Sequence, residues 1–449
     1  MLVWGRILSQ TSTLLFYIMK QNLHITKLNN GAEILFVNVA GSTSYYFNTI
    51  VNAGYNYAAK DKYELPHLLE HLAFEGSVNY PKTGQMAHQL EKLGGWSNAY
   101  TSEQNIRYFL VGSINDYKNI TEIGLEQYVH PLFRQKNIDE QKKVVEREFK
   151  RGIDDDERRV RDLSYSRMFA EKLSFAKDRI STLKNITKSD IETYYKATHT
   201  QANTKFVISG DLDKTKRATI ALLIEQSVAS LPVGKHLNEL HHFNEGSFQS
   251  IESLPSKLKG QMHFSLSFVK TKYDDSIGYR AACSVAMAIY NQGSSSRVFI
   301  KSREAGLAYT VTSGIYNGRD YSEAYVIEKT DPHLATRLFE LCLAELVDIS
   351  KGNFTAAELE RAIGYQAGDC DTEYETSRDL ADWYGPMFED DEAMYSPVEY
   401  SAAIRKIRKQ DVVKVLTSFV KKDNWLVSLV GYGAESLKPS FEEIIAKYL

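Results

Sequence analysis

Cysteine is scarce in this chain. The three residues present, Cys283, Cys342 and Cys370, are odd in number, far apart and without Cys-x-x-Cys spacing, so neither a disulfide framework nor a thiolate metal site is indicated. They read as small core hydrophobes in a reducing compartment, and a cytoplasmic location is expected. An excess of either charge is also missing, since the formal net charge is -3 and the basic residues are scattered. That pattern leaves no footprint for nucleic acid, and none is expected as a partner. Beyond the first 18 residues no run of 18 uninterrupted apolar residues occurs, so no membrane span or membrane partner is expected.

What is present is a globular composition. A chain of 449 residues with 43% hydrophobic and 25% charged residues is too long for one simple core and predicts two or more domains. Residues 1–18 stand apart as an N-terminal extension, with Arg6, Ser9 and Gln10 interrupting an apolar stretch and no small-x-small cleavage site following. An upstream start before Met19 and a tail ordered against the fold both explain it.

The chemistry concentrates in Pro66-His67-Leu68-Leu69-Glu70-His71. Proline at the first helical turn and the flanking leucines predict a helix starting near Pro66. On a helix, His67 and His71 stack on one face and can reach one metal ion, while Glu70 lies on the flank, where it can hold a water without ligating the metal. On this composition a chance His-x-x-Glu-His is expected roughly 0.02 times, so the pattern carries weight against a helix with two ordinary solvated or core histidines. An open zinc site needs a third protein ligand, commonly a carboxylate. The helix predicted over Asn137 to Lys150 offers Glu146 and Glu148. At about 100° per residue Glu148 falls on the side of Val144 and Val145 and Glu146 points away, which favours Glu148.

This set, with Glu148 inside Val144-Val145-Glu146-Arg147-Glu148, resembles the inverzincin peptidases of the pitrilysin, insulin-degrading enzyme and mitochondrial processing peptidase group, family M16. The family usually carries another Glu seven residues before the third ligand, where this chain has Gln141. The resemblance also touches Trp96-Ser97-Asn98-Ala99-Tyr100-Thr101, whose family counterpart is the sheet edge beside the zinc. It implies that Asn98 and Ala99 pair through their backbone with an extended substrate. A third match, Ser302-Arg303-Glu304-Ala305-Gly306-Leu307-Ala308-Tyr309, implies that Tyr309 and an Arg hold the scissile carbonyl. The family's Arg lies seven residues before the Tyr; here Ser302 has that place and Arg303 lies one residue closer.

Along the chain, strands are predicted over Leu23 to Leu28, Glu33 to Val39, Ser44 to Ala53, Trp96 to Thr101 and Ile106 to Val111, with helices over Thr83 to Leu93, Tyr117 to Tyr128 and Arg158 to Leu173. Two stretches then repeat. Ile186 to Gly210 and Ile407 to Gly431 each run 24 residues from an Ile to a Gly, with an Asp in the first turn of a helix and a short buried strand at the end. Two copies of one α+β unit are therefore expected: a zinc-binding domain over 19–230, a linker over 231–246 that includes His241 and His242, and a second domain over 247–449 without the histidine motif. In the second copy an apolar helix ended by Gly293 takes the place of the histidine helix.

The resemblance implies an α+β fold of two homologous α/β-roll domains, each a mostly antiparallel sheet with helices on one side. It implies zinc-dependent endopeptidase activity on short or unfolded peptides held extended in a closed chamber, with Zn2+ as cofactor and Glu70 as general base. The partners implied are a peptide substrate and a second subunit, in a homodimer or a heterodimer with a related chain. The competing reading is a non-catalytic or partner-dependent scaffold subunit.

Overall fold

A computed structural model of the chain describes residues 23–169, 175–238, 248–271, 274–318 and 321–449. The N-terminal extension, His241, His242 and the end of the helix expected to run to Leu173 lie outside them. Among the described residues no helix is long and apolar enough to cross a membrane.

The described chain forms two compact units. In the first, strands β1 (Leu23–Lys27), β2 (Glu33–Asn38), β3 (Ser44–Val51), β4 (Trp96–Thr101), β5 (Ile106–Ser113) and β6 (Thr204–Gly210) make one sheet in the order β1-β2-β6-β3-β5-β4. Only β2 and β6 run parallel; the other neighbours are antiparallel. In the second unit β7 (Gln249–Pro255), β8 (Met262–Lys270), β9 (Thr312–Asn317), β10 (Ser322–Thr330) and β11 (Trp425–Gly431) follow the order β7-β11-β8-β10-β9, again with one parallel pair, β7 and β11. The second sheet thus repeats the first without β1. The predicted repeat is the helix Lys188–Thr198 leading to β6 and the helix Lys409–Phe419 leading to β11, with Asp190 and Asp411 each closing a capping box.

Helices cover both faces of the first sheet, not one. Side chains alternate across a strand, and on β3 Tyr45 and Phe47 meet the helix Tyr117–Val129 at Thr121 and Gly124. The alternate residues Tyr46 and Ile50 join Leu35, Val37, Phe109 and Val207 against Ala381, Tyr384, Met387 and Phe388 of the helix Ser377–Glu389. That helix is also held through charge. Lys205 Nζ binds the carbonyls of Phe388 and Glu389 at 2.9 and 3.1 Å, where a cation meets the negative end of the helix, and Arg107 pairs with Glu389.

The second sheet is built the same way. Phe264 packs on Phe339 and Phe441 from one side. From the other, Val160 and Leu163 of the helix Asp156–Met168 meet Val430, and Ser164 Oγ reaches Ser265 Oγ at 2.6 Å and Ser428 Oγ at 2.9 Å. In place of a histidine helix this unit has the buried helix Ile277–Tyr290.

The units do not follow chain order. Taking the described residues alone, the first falls within 1–149, 179–239 and 373–396, and the second within 150–178, 240–372 and 397–449. A contiguous division at 231–246 separates the two sheets but not the two packed units, because each sheet takes a covering helix from the other half of the chain.

Candidate metal centre and active site

The histidine helix spans Leu65–Leu72, with Pro66 in its first turn. Leu65, Leu68, Leu69 and Leu72 are buried, which turns His67, Glu70 and His71 to the opposite, half-exposed side. The segment entering it is fixed at Gly54. A Cβ there would lie 2.4 to 2.6 Å from backbone atoms of Ser102, Glu103 and Asn105, so only glycine lets the end of β3 pack onto the β4–β5 turn.

The His67 and His71 rings stand 4.8 Å apart, edge to face, with their Nε2 atoms 3.2 Å apart. Glu148, on the helix Gln135–Gly152, brings a carboxylate oxygen to 3.6 Å from each Nε2. Its helix buries Ile138, Val145 and Phe149, whereas 44% of the Glu148 side chain is exposed. Glu148 is the carboxylate that meets the two histidines, and it stands at the open edge of its helix, not on the buried face.

The outer partners settle what the two rings offer. His67 Nδ1 lies 3.0 Å from Glu64 Oε2, and Glu64 is fully buried and paired with Arg179. Arg179 in turn lies over the rings of Tyr55 at 4.4 Å and Phe149 at 4.7 Å. Burial pushes the Glu64 carboxyl up, but its contacts with His67 and Arg179 outweigh that and hold it below the usual range. His71 Nδ1 lies 3.1 Å from Gln141 Oε1. A carboxylate and an amide oxygen only accept, so each neutral ring carries its proton on Nδ1 and presents the Nε2 lone pair. Two lone pairs and a carboxylate thus converge within 4.8 Å of one another, with no donor among them. Such a site calls for a cation, and two imidazoles with one carboxylate are a donor set that suits zinc. No other cluster of this kind occurs among the described residues.

Glu70 is not a member of that set. Its Oε2 accepts from Thr101 Oγ1 at 2.5 Å, which ties the carboxylate to the last residue of β4. Among the described residues β4 is an edge strand, paired only with β5. Ala99 is buried, while the Asn98 side chain is exposed and accepts from the Ala99 amide at 2.9 Å.

Arg303 and Tyr309 belong to the second unit. Arg303 sits on the helix Arg297–Glu304 with its guanidinium carbon 4.8 Å from the centre of the Tyr309 ring. Tyr309 is a loop residue, 75% exposed. Ser302, at the place where the resemblance has Arg, is fully buried and donates to the Phe299 carbonyl at 3.1 Å. Both residues line a cleft of about 520 Å3 together with Lys329 and Asp331.

Sequence reasoning did not find Glu64, Arg179 or Thr101. Glu64, one helical turn before His67, and Thr101, in the stretch already singled out, were within reach of spacing arguments; Arg179 carried no local signal.

Residues 38–177 match the family model described as Insulinase (Peptidase family M16), and residues 185–364 match the one described as Peptidase M16 inactive domain. An uncharacterized zinc protease of Rickettsia felis is 28% identical over 316 residues, covering 69% of this chain and 73% of that protein. The mitochondrial-processing peptidase subunit beta of Saccharomyces cerevisiae is 22% identical over 443 residues, covering 94% and 93%. Among solved structures, a protease from Helicobacter pylori has a TM-score of 0.78 at 19% identity, covering 91% of this chain and 99% of that one. A peptidase M16 inactive domain from Pseudomonas fluorescens has a TM-score of 0.82 at 18% identity, covering 92% and 98%. At such identities these structures speak for the fold alone. The two family models follow one another along the chain, and the histidine set falls within the first of them: the chain belongs to peptidase family M16.

Proposed function

We propose that this chain is a zinc-dependent endopeptidase acting on short or unfolded peptides. The observation that carries the reading is the meeting of the His67 and His71 lone pairs with the Glu148 carboxylate beside a separately anchored Glu70. Zinc held by His67, His71 and Glu148 would supply Lewis-acid polarisation of the peptide carbonyl and a more acidic water. Glu70 takes a proton from the attacking water as its oxygen adds to the carbonyl carbon, and delivers that proton to the amine as the C–N bond breaks. Thr101 fixes the orientation of Glu70. The free edge of β4, at Asn98 and Ala99, receives an extended peptide by strand addition, so only an unfolded segment qualifies as substrate. Tyr309, aided by Arg303, steadies the oxygen on which negative charge develops. The three cysteines are buried thiols, in keeping with a reducing, cytoplasmic setting.

The test is metal content and cleavage of a quenched, unstructured peptide, measured beside Glu70→Gln. About one zinc per chain with cleavage lost in the variant, zinc retained, is the expected result. Wild-type protein that binds no zinc would return the chain to the scaffold reading. The similarity along nearly its whole length to a protein named as a subunit favours a second form of the proposal, in which activity needs a homodimer or a related partner chain. Solution mass of active and inactive fractions distinguishes the two.

A further inference from the structure

We propose that Glu75 is a positioning residue that acts through Gln141 to fix the tautomer of His71; the proposal rests on the zinc reading above for its consequence but not for its geometry. Gln141 alone cannot do this. An amide has an oxygen and a nitrogen of nearly equal size, and turned about it would offer N–H to His71, draw the lone pair to Nδ1 and leave the proton on Nε2, where the metal should bind.

The neighbours of Glu75 remove that ambiguity. Asn137 Nδ2 donates to the Glu75 backbone carbonyl at 3.2 Å, and since a carbonyl only accepts, the orientation of the Asn137 amide is set. The same Nδ2 reaches Glu75 Oε2 at 3.1 Å, and Thr83 Oγ1 donates to that oxygen at 2.8 Å. The other oxygen, Oε1, binds Gln141 Nε2. A carboxylate in this place accepts from Gln141 and so turns its Oε1 to His71 Nδ1. His67 receives a carboxylate directly from Glu64; His71 receives one at second hand, through a neutral amide. Each half of the histidine pair is therefore locked by an acid, one in contact and one relayed.

Two readouts test this on the full-length chain: the tautomer of His71 by nitrogen NMR of the metal-free protein labelled in histidine, and zinc affinity by competition with a chelator. Wild type should show the Nδ1–H form. Glu75→Gln, which keeps the shape but lets both amides turn, should give a mixture of tautomers and bind zinc roughly tenfold more weakly, at the lower end of the range for outer partners of a ligand. The exchange Gln141→Glu with Glu75→Gln should restore both readouts, because a carboxylate then faces His71 directly. An unchanged tautomer in Glu75→Gln would overturn the proposal, as would a loss that the double exchange does not recover, which would make Glu75 a purely structural residue. Failure of the wild type to take up zinc, with the tautomer still following Glu75, would sink the zinc reading and uphold the relay.

Discussion

Thr101 Oγ1 stands 2.5 Å from Glu70 Oε2, a hydrogen bond between the end of an edge strand and the acid of the histidine helix. It makes the strand that would hold a substrate and the group that would move its proton parts of one rigid connection. Thr101→Val keeps the shape and removes the donor. It should lower kcat by about tenfold or more, since a base released from its near-attack position loses much of its effect, while zinc content stays unchanged. Equal kcat in steady-state assays of the two proteins would show that Thr101 merely fills space.

The ligand set predicts a graded loss of metal. Glu148→Ala removes one of the three proposed protein donors and should weaken zinc by more than about a hundredfold, beyond the 10–100-fold typical of an outer partner. Arg179→Gln, which leaves the buried Glu64 without its cation, should fall inside that range. Chelator titrations of the two variants check the order; a weaker effect from Glu148→Ala would remove it from the ligand set.

Acid sensitivity should come in part from His199. The ring is fully buried among Tyr195, Tyr128 and Tyr108, with Nδ1 at 3.0 Å from Thr198 Oγ1. Burial pushes its pKa down from 6.5 to about 3. A folded-state value below the unfolded one means that the unfolded chain binds the proton more readily, so stability is full above about pH 6.5 and declines as the pH falls toward 3. The slope is about 1.4 kcal/mol per pH unit. Between pH 6.5 and 5 the wild type should lose about 2 kcal/mol more than His199→Gln in urea unfolding. Parallel losses in the two proteins would rule the histidine out.

Tyr384 tests the exchanged helix. Only 2% exposed, it packs with Met387 and Phe388 on Leu35, Val37 and Val207 of the first sheet. Tyr384→Ala should cost about 3–5 kcal/mol, as for other large aromatic truncations. Amide hydrogen exchange should then quicken in β2 and β6 and stay unchanged in β8 and β11. The reverse pattern would place this helix with the second sheet.

What could be read from the sequence was local or periodic. His67, Glu70 and His71 lie within one helical turn or so, so the helix itself brings them together and the spacing suffices. The repeat showed because the Asp190 and Asp411 helices each stand the same distance from a buried strand. Helix phase and resemblance favoured Glu148, and it does meet the histidines, but from the helix edge beside the side of Val144 and Val145: an acid there can reach a neighbour without being enclosed. The pairing of Glu64 with Arg179 was out of reach, since its partners lie far apart in sequence and meet only through tertiary packing. The second covered face of each sheet escaped for a related reason. Periodicity shows that a helix has an apolar side, but the sheet that covers this side is chosen by the path of the chain.

That path also sets an order of events during synthesis. The sheet of the unit that holds the histidine helix has all its described strands once Gly210 has been made, yet one of its faces stays bare until the segment 373–396 emerges. By then the ribosome has produced most of the second unit, whose own covering helix, Asp156–Met168, was waiting long before its strands existed. Neither unit can finish folding as a nascent chain lengthens, as domains that are continuous in sequence do. A chain cut between the two sheets yields two fragments, each lacking one helix of its own core and carrying one that belongs to the other.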